Sequence, residues 1–203
     1  WADKSGYTYG LHGTPTTFIL EERIATLEGG LHCVLAPSGL SAVSLVDMAF
    51  LQQGDELLIP DNAYGPNKAF ASVELAAWGI AHRFYDPLNP ADLAAKIGPC
   101  TRLVWLEAAG SITLEFPDLP ALTAVVRQAN AQRGEGRAIL TALDNTWGAG
   151  IAFNAFELGA DVSMQALTKY PSGGADVLMG SVVTRDPALH RQLLMTHMRL
   201  GLG

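Results

Sequence analysis

The chain has 203 residues, enough for one domain with a full core, and 49% of them are hydrophobic against 16% charged. Its net charge of −7 comes without a basic patch, Lys and Arg being scattered singly, which argues against nucleic acid and anionic membrane surfaces as partners. The most apolar window, Leu31 to Leu51, is broken by Pro37, Gly39 and Asp47, and Trp1-Ala2-Asp3-Lys4 has no signal-peptide core, so a soluble cytoplasmic protein is expected.

In chain order, Tyr7 to Gly13 is rich in glycine and tyrosine without helical or strand period and reads as an ordered arm. From Pro15, apolar residues recur at helical spacing until Gly29-Gly30 stops the helix. Leu31 to Ala36 is strand-like, Pro37-Ser38-Gly39-Leu40 opens a helix over Ser41 to Leu51, and Gly54-Asp55 turns into a buried strand, Glu56 to Pro60. There follow a helix from Tyr64 to Trp78, a strand from His82 to Tyr85, a helix from Pro90 to Ile97, a strand from Thr101 to Glu107 and a long amphipathic helix from Leu119 to Gln132.

The run from Arg137 closes on Asp144, a short helix is expected over Asn154 to Leu158, and a strand leads to Ala166. A strand over Val177 to Thr184 and a helix from Pro187 complete the pattern. Strands alternating with helices imply a largely parallel sheet covered on both faces. No internal repeat or low-complexity linker divides the sequence. The start without Met, and the end on Gly201-Leu202-Gly203 straight after a helical pattern, read as a piece of a longer protein.

Two of these strands carry chemistry at their ends. Arg137 to Leu143 ends in Asp144, and Ser163 to Leu167 ends in Thr168-Lys169-Tyr170. As parallel neighbours they place Asp144 and Lys169 at one carboxyl edge, where open α/β sheets bind ligands. A lysine leaving a buried strand is expected to be poorly solvated, which disfavours the ammonium and frees the amine for imine formation; the plain alternative is a solvated loop lysine. An aspartate and a reactive lysine at such an edge are what pyridoxal phosphate requires.

Ser38-Gly39-Leu40 sits where a strand hands over to a helix, so its backbone N–H groups form an anion site; a Ser N-cap with a turn glycine is the simpler reading. Tyr64 follows the strand ending at Pro60, either as an aromatic lid for a flat ring or as a buried tyrosine at a helix start. Glu107 fits either a structural carboxylate or a pocket wall. The five histidines have no metal-ligand spacing, and Cys33 and Cys100 belong to no Cys-x-x-Cys pair and read as reduced thiols. No nucleophile elbow, Walker loop or dinucleotide glycine motif follows a strand.

Taken together, Tyr9-Gly10…Gly13-Thr14-Pro15, Leu27-Glu28-Gly29-Gly30, Ser38-Gly39-Leu40-Ser41-Ala42, Asp61-Asn62-Ala63-Tyr64, Asp144-Asn145-Thr146-Trp147 and Thr168-Lys169-Tyr170 resemble the cysteine/methionine-metabolism family of pyridoxal-phosphate enzymes. Gly110-Ser111-Ile112-Thr113-Leu114-Glu115 is similar to the pattern of its β-lyases, where γ-synthases and γ-lyases usually carry an Asn-Pro segment. The resemblance implies the aspartate-aminotransferase fold: an α/β, three-layer large domain with a mostly parallel seven-stranded sheet and helices on both faces. It implies an arm over residues 1–15 that reaches a neighbouring subunit and a cofactor domain over 16–203, with the family's C-terminal domain and its substrate-carboxylate arginine outside these residues.

By the same resemblance Lys169 and Tyr64 are the catalytic residues. Lys169 forms the Schiff base and moves the Cα proton, Asp144 holds the pyridinium, Tyr64 stacks on the ring, Gly39, Leu40 and Thr168 bind the phosphate, and Tyr9 reaches the phosphate of a neighbouring subunit. The implied activity is a carbon–sulfur lyase that releases homocysteine, pyruvate and ammonia from L-cystathionine in methionine biosynthesis. The implied assembly is a homo-oligomer of dimers with shared active sites, joined as tetramers. A γ-cleaving or broader desulfurising member, and a cofactor-binding regulator without turnover, are the alternatives. Three positions depart from the family: Leu11 where many members have Arg, Ala166 where a phosphate-binding Ser is common, and Ala108-Ala109 in place of Ser-Pro.

Overall fold

The computed structural model describes residues 6–203 apart from Thr8 and Glu135, so the first five positions of the expected arm, and Thr8 within it, lie outside the described residues. After a 3-10 turn at Gly10–His12 the elements run α1 (Pro15–Glu28), β1 (His32–Ala36), α2 (Gly39–Phe50), β2 (Glu56–Pro60) and α3 (Gly65–Phe70). A π-helical turn over Ala71–Leu75 extends α3 and leads to β3 (Ala81–Tyr85). Then come α4 (Pro90–Lys96), β4 (Thr101–Glu107), α5 (Leu119–Asn130), β5 (Leu140–Asp144), β6 (Val162–Ala166), β7 (Gly180–Thr184) and α6 (Pro187–Leu200).

Local chemistry sets the helix ends. Thr14 and Thr17 form a reciprocal capping box ahead of Pro15, and Gly29 closes α1 in the left-handed region at φ 71°. Asn89, Asp118 and Asp186 cap α4, α5 and α6, each followed by a proline in the first turn. The stretch Asn154 to Leu158 is a turn and not the expected helix. Asn154 Oδ1 accepts from the Phe156 and Glu157 N–H groups, as at a helix start, but the chain then turns at Gly159 with φ 92° before a second turn can form.

The strands form one sheet in the order β1-β7-β6-β5-β4-β2-β3. All neighbours are parallel except β7, which runs antiparallel to both β1 and β6. β7 starts three residues later than the pattern suggests, since Met179 is bound at both its N–H and C=O by the Thr168 hydroxyl. Because β7 reverses twice, β1 and β6 point the same way, and Ala36 and Ala166 stand level on either side of Gly180. Glu107 and Asp144 are likewise in register. The ends of β1, β2, β4, β5 and β6 thus share one edge.

Helices cover both faces, which makes the three layers expected from the sequence. On one side α2, the α3 segment and α6 pack Val43, Leu75 and Leu193 onto Leu57, Trp105 and Met164; on the other, α4 and α5 bury Leu93, Leu122 and Val126 against Leu58, Val104 and Leu143. α1 adds Ile24 and Ala25 over Cys33 and Val183. Each such Leu or Val contributes roughly 1.5–3 kcal/mol of burial.

One core group gives the fold a pH dependence. Asp47 of α2 is fully buried, takes one bond from Trp105 Nε1 (2.8 Å) and has no partner for Oδ2. Burial pushes its pKa up to about 7, against the opposing pull of that bond. Between the ordinary value of 3.8 and about 7 the unfolded chain has lost this proton while the folded one keeps it. The group therefore lowers stability as pH rises through that window, by about 1.4 kcal/mol per unit, and adds no further change above it. Asp47→Asn keeps an acceptor for Trp105 and removes the proton. Unfolding of the full-length protein from pH 4.5 to 8 checks this: the variant gains on the wild type as pH rises to about 7, and parallel curves would refute it.

Candidate active site

Where β1 hands over to α2, Ser38 is in extended conformation and its Oγ accepts from the Ser41 N–H (3.0 Å), so the reading of Ser38 as an N-cap holds. The first intrahelical bond received here is Ala42 N–H to Ser38 O, which leaves the Gly39 and Leu40 N–H groups without helical partners. Gly39 is needed for closeness: a Cβ there would stand 2.7 Å from the Ala166 Cβ. The helix start therefore closes onto the end of β6, and Gly39 and Leu40 border a cavity of about 410 Å³.

That cavity gathers residues from five strand ends. Asp144, Tyr64, Lys169 and Thr168 line it together with Gly39 and Leu40. Asp144 is buried, held by the Thr146 N–H at Oδ1 (3.0 Å) and by the Thr146 hydroxyl. Thr146 can serve it because its own Oγ1 accepts from the Ala166 N–H (3.0 Å), which turns the hydroxyl proton outward. Lys169 Nζ lies 5.5 Å from the centre of the Tyr64 ring. The Thr168 hydroxyl reaches the cavity wall but is engaged with the Met179 carbonyl (3.2 Å).

One expectation needs correction. Lys169 is exposed and not poorly solvated, because β6 ends at Ala166 and a turn, closed by Lys169 N–H to Ala166 O, carries the lysine out over the cavity mouth. Tyr9, expected to reach a neighbouring subunit, is exposed, meets the His12 ring edge-on at 5.8 Å, and lies outside the wall of its own chain's cavity.

The site also holds groups that sequence reasoning missed or left open. Glu107 is buried in the cavity wall, and its Oε2 accepts from the Tyr64 N–H (2.8 Å), so it is both wall and support. Burial first, then the Asp144 charge, push its pKa up to about 8, against the Tyr64 bond and the Lys169 charge. Burial also raises Asp144, but Thr146 and Lys169 favour its anion. Glu107 thus holds its proton more tightly than an ordinary carboxylate, while the bonds and charge around Asp144 favour its anion. Thr146 was a missed residue whose signal was its place two residues past a strand-end carboxylate. Ser111 and Trp147 also border the cavity.

This donor set suits pyridoxal phosphate. A buried carboxylate that faces the cavity with only Thr146 to satisfy it calls for a cation such as a protonated ring nitrogen. The Tyr64 face lies beside the Lys169 amine, and the same cavity is bordered by a helix start with unspent N–H groups. No helix among the described residues is long and apolar enough to cross a membrane.

Comparison with known proteins agrees with this geometry. Residues 2–203 match the model of the family described as Cys/Met metabolism PLP-dependent enzyme. Cystathionine β-lyase of Bordetella avium is 40% identical over 200 residues, covering 98% of this chain and 48% of that protein. Cystathionine β-lyase MetC of Escherichia coli K12 is 42% identical over 175 residues, covering 86% and 43%. The crystal structure of metB from Corynebacterium glutamicum superposes with a TM-score of 0.90 at 28% identity, over 98% of this chain and 50% of that one. The chain thus spans about half the length of the relatives it matches. With a family match over nearly every residue and a site that fits its cofactor, this chain belongs to the Cys/Met metabolism family of pyridoxal-phosphate-dependent enzymes.

Proposed function

We propose that the protein to which this chain belongs is a carbon–sulfur lyase that cleaves L-cystathionine by β-elimination to homocysteine, pyruvate and ammonia. The observation that carries the reading is the meeting of Asp144, Lys169 and Tyr64 at one cavity, in a chain about 40% identical to proteins named cystathionine β-lyase. When bound, pyridoxal phosphate supplies an electron-withdrawing ring conjugated to the substrate nitrogen, which acidifies the Cα–H and lets a thiolate leave from Cβ.

The chain's own residues do the rest. Lys169 Nζ would hold the cofactor through its aldehyde and, as a free amine, would move the substrate's Cα proton toward the departing sulfur. Asp144 holds the proton on the ring nitrogen. Tyr64, braced by Glu107 at its N–H, keeps one ring face covered. The Gly39 and Leu40 N–H groups at the start of α2, with the Thr168 hydroxyl in the same cavity wall, would hold the phosphate.

The reading includes a cytoplasmic tetramer built of dimers, in which the exposed Tyr9 reaches a neighbour's phosphate; its support is a glycine-rich arm whose aromatic ring has no burial within its own chain. The full-length enzyme given cystathionine tests the chemistry. Pyruvate in step with homocysteine is expected. Release of 2-oxobutyrate would move the protein to γ-cleavage, and a bound cofactor with no keto acid would make it a regulator. Light scattering of the same preparation checks the assembly, which a monomer would exclude, and fractionation of cells checks the compartment.

A further inference from the structure

Behind the site, on the α1 side of the sheet, lies a polar cluster that the chemistry above does not use. Ser163 and Gln165 of β6 alternate with Met164 and Ala166, which border the cavity, so their side chains leave from the other face. There they meet Glu28, the last residue of α1, only 1% exposed. Glu28 Oε2 accepts from Ser163 Oγ and, at 3.3 Å, from Asn145 Nδ2, while Oε1 has no partner. The Gln165 amide stands beside the carboxyl without a bond of ordinary geometry, and Asn145 Oδ1 is also unpartnered.

Asn145 is the link to the site. It follows Asp144 directly, its N–H donates to the Met164 carbonyl (2.8 Å), and its carbonyl accepts from Ala149 (2.8 Å). The loop after it closes down tightly: a Cβ at Gly148 would stand 2.1 Å from Asn145 Oδ1, and one at Gly150, 2.9 Å from Glu28 Cγ. A carboxyl so deeply buried is costly unless it organises its surroundings.

We propose that Glu28 is a positioning residue: through Asn145 it holds the turn that aims Asp144 into the cavity, and through Ser163 it holds the strand that leads to Lys169. This rests on the reading that Asp144 and Lys169 bind pyridoxal phosphate. Burial, and to a lesser extent the charge of Asp144, raise its pKa, against the bonds from Ser163 and Asn145 and the nearby Gln165 amide. The nearby Arg185 is spent on the Gly29 carbonyl and on Glu157. An amide of the same length keeps an acceptor for Ser163 and Asn145, so Gln replaces Glu28 well.

The test titrates pyridoxal phosphate into the full-length apoenzyme and follows visible absorbance and its pH midpoint. Glu28→Ala is expected to weaken cofactor binding on the order of tenfold, the scale of losing an outer partner of a bound group, and to move the midpoint. Glu28→Gln recovers most of that loss. Asn145→Ala repeats it, and the double variant is no worse than either single one. Wild-type affinity and midpoint in Glu28→Ala, with only a lower Tm, would overturn the proposal, as would additive losses. Should Glu28→Ala not fold, Asn145→Ala decides alone, wild-type affinity refuting the link. Lys169→Ala, trapped with borohydride alongside, separates the two levels. If it keeps an adduct, the underlying reading fails; if only the Glu28 and Asn145 variants behave as wild type, only the positioning role fails.

Discussion

Lys169→Ala in the full-length protein is expected to abolish the borohydride-stable adduct with pyridoxal phosphate while leaving the fold unchanged. The side chain is exposed at the cavity mouth, so truncation opens no core void and stability should stay within about 0.5 kcal/mol of wild type. No described amine can take its place: Lys68 Nζ is bound to the Asp61 carbonyl (2.6 Å), and Lys96 is paired with Asp92 (2.6 Å) on α4. On the proposed reading, turnover would lose both the attachment point and the base that moves the Cα proton. The base alone is worth about 10²–10⁴-fold, so the whole loss is larger. Mass analysis of the peptide containing residue 169 after reduction checks the assignment. An adduct elsewhere on the protein, with activity retained, would overturn it.

Asp144 and Lys169 were legible because each closes an apolar run of strand length, and parallel pairing then places both on one edge whatever the details of packing. The direction of β7 was harder to read, because the connections from β5 to β6 and from β6 to β7 both run through turns without a helix, and only the second reverses the chain. A helix-free connection does not by itself set the direction. The solvation of Lys169 could not be read from its strand, since the turn after Ala166 is what lifts it out.

Glu28 was hidden for a different reason. In sequence it belongs to a helix end, Leu27-Glu28-Gly29-Gly30, where a glutamate is ordinarily solvated. What buries it is 135 residues away, Ser163 on a strand whose alternate positions are polar. Polar residues at alternate positions of a fully buried strand call for a partner from another element, and that demand was the available signal. Thr146 and Glu107 show the same limit: their roles depend on which groups the sheet register sets beside Asp144.

Asp144→Asn is the second large effect. The amide keeps an oxygen for the Thr146 N–H and nearly the same volume, so the turn and the 410 Å³ cavity should survive. What goes, on the proposed reading, is the charge that would keep a proton on the ring nitrogen of a bound cofactor. Loss of a pre-organised electrostatic partner costs about 10²–10³-fold in turnover. The neighbouring acid supplies an internal check. The charge of Asp144 helps raise Glu107 to about 8, so its removal lets Glu107 ionise at lower pH. Glu107 cannot replace Asp144 fully, because its Oε2 is engaged with the Tyr64 N–H. Turnover of the variant should recover slightly as pH rises and Glu107 gains its charge, where the wild type shows no such gain from this pair. Steady-state rates of both proteins from pH 6 to 9 measure this. Wild-type rates across the range would mean that another group holds the ring nitrogen, and would detach Asp144 from the chemistry.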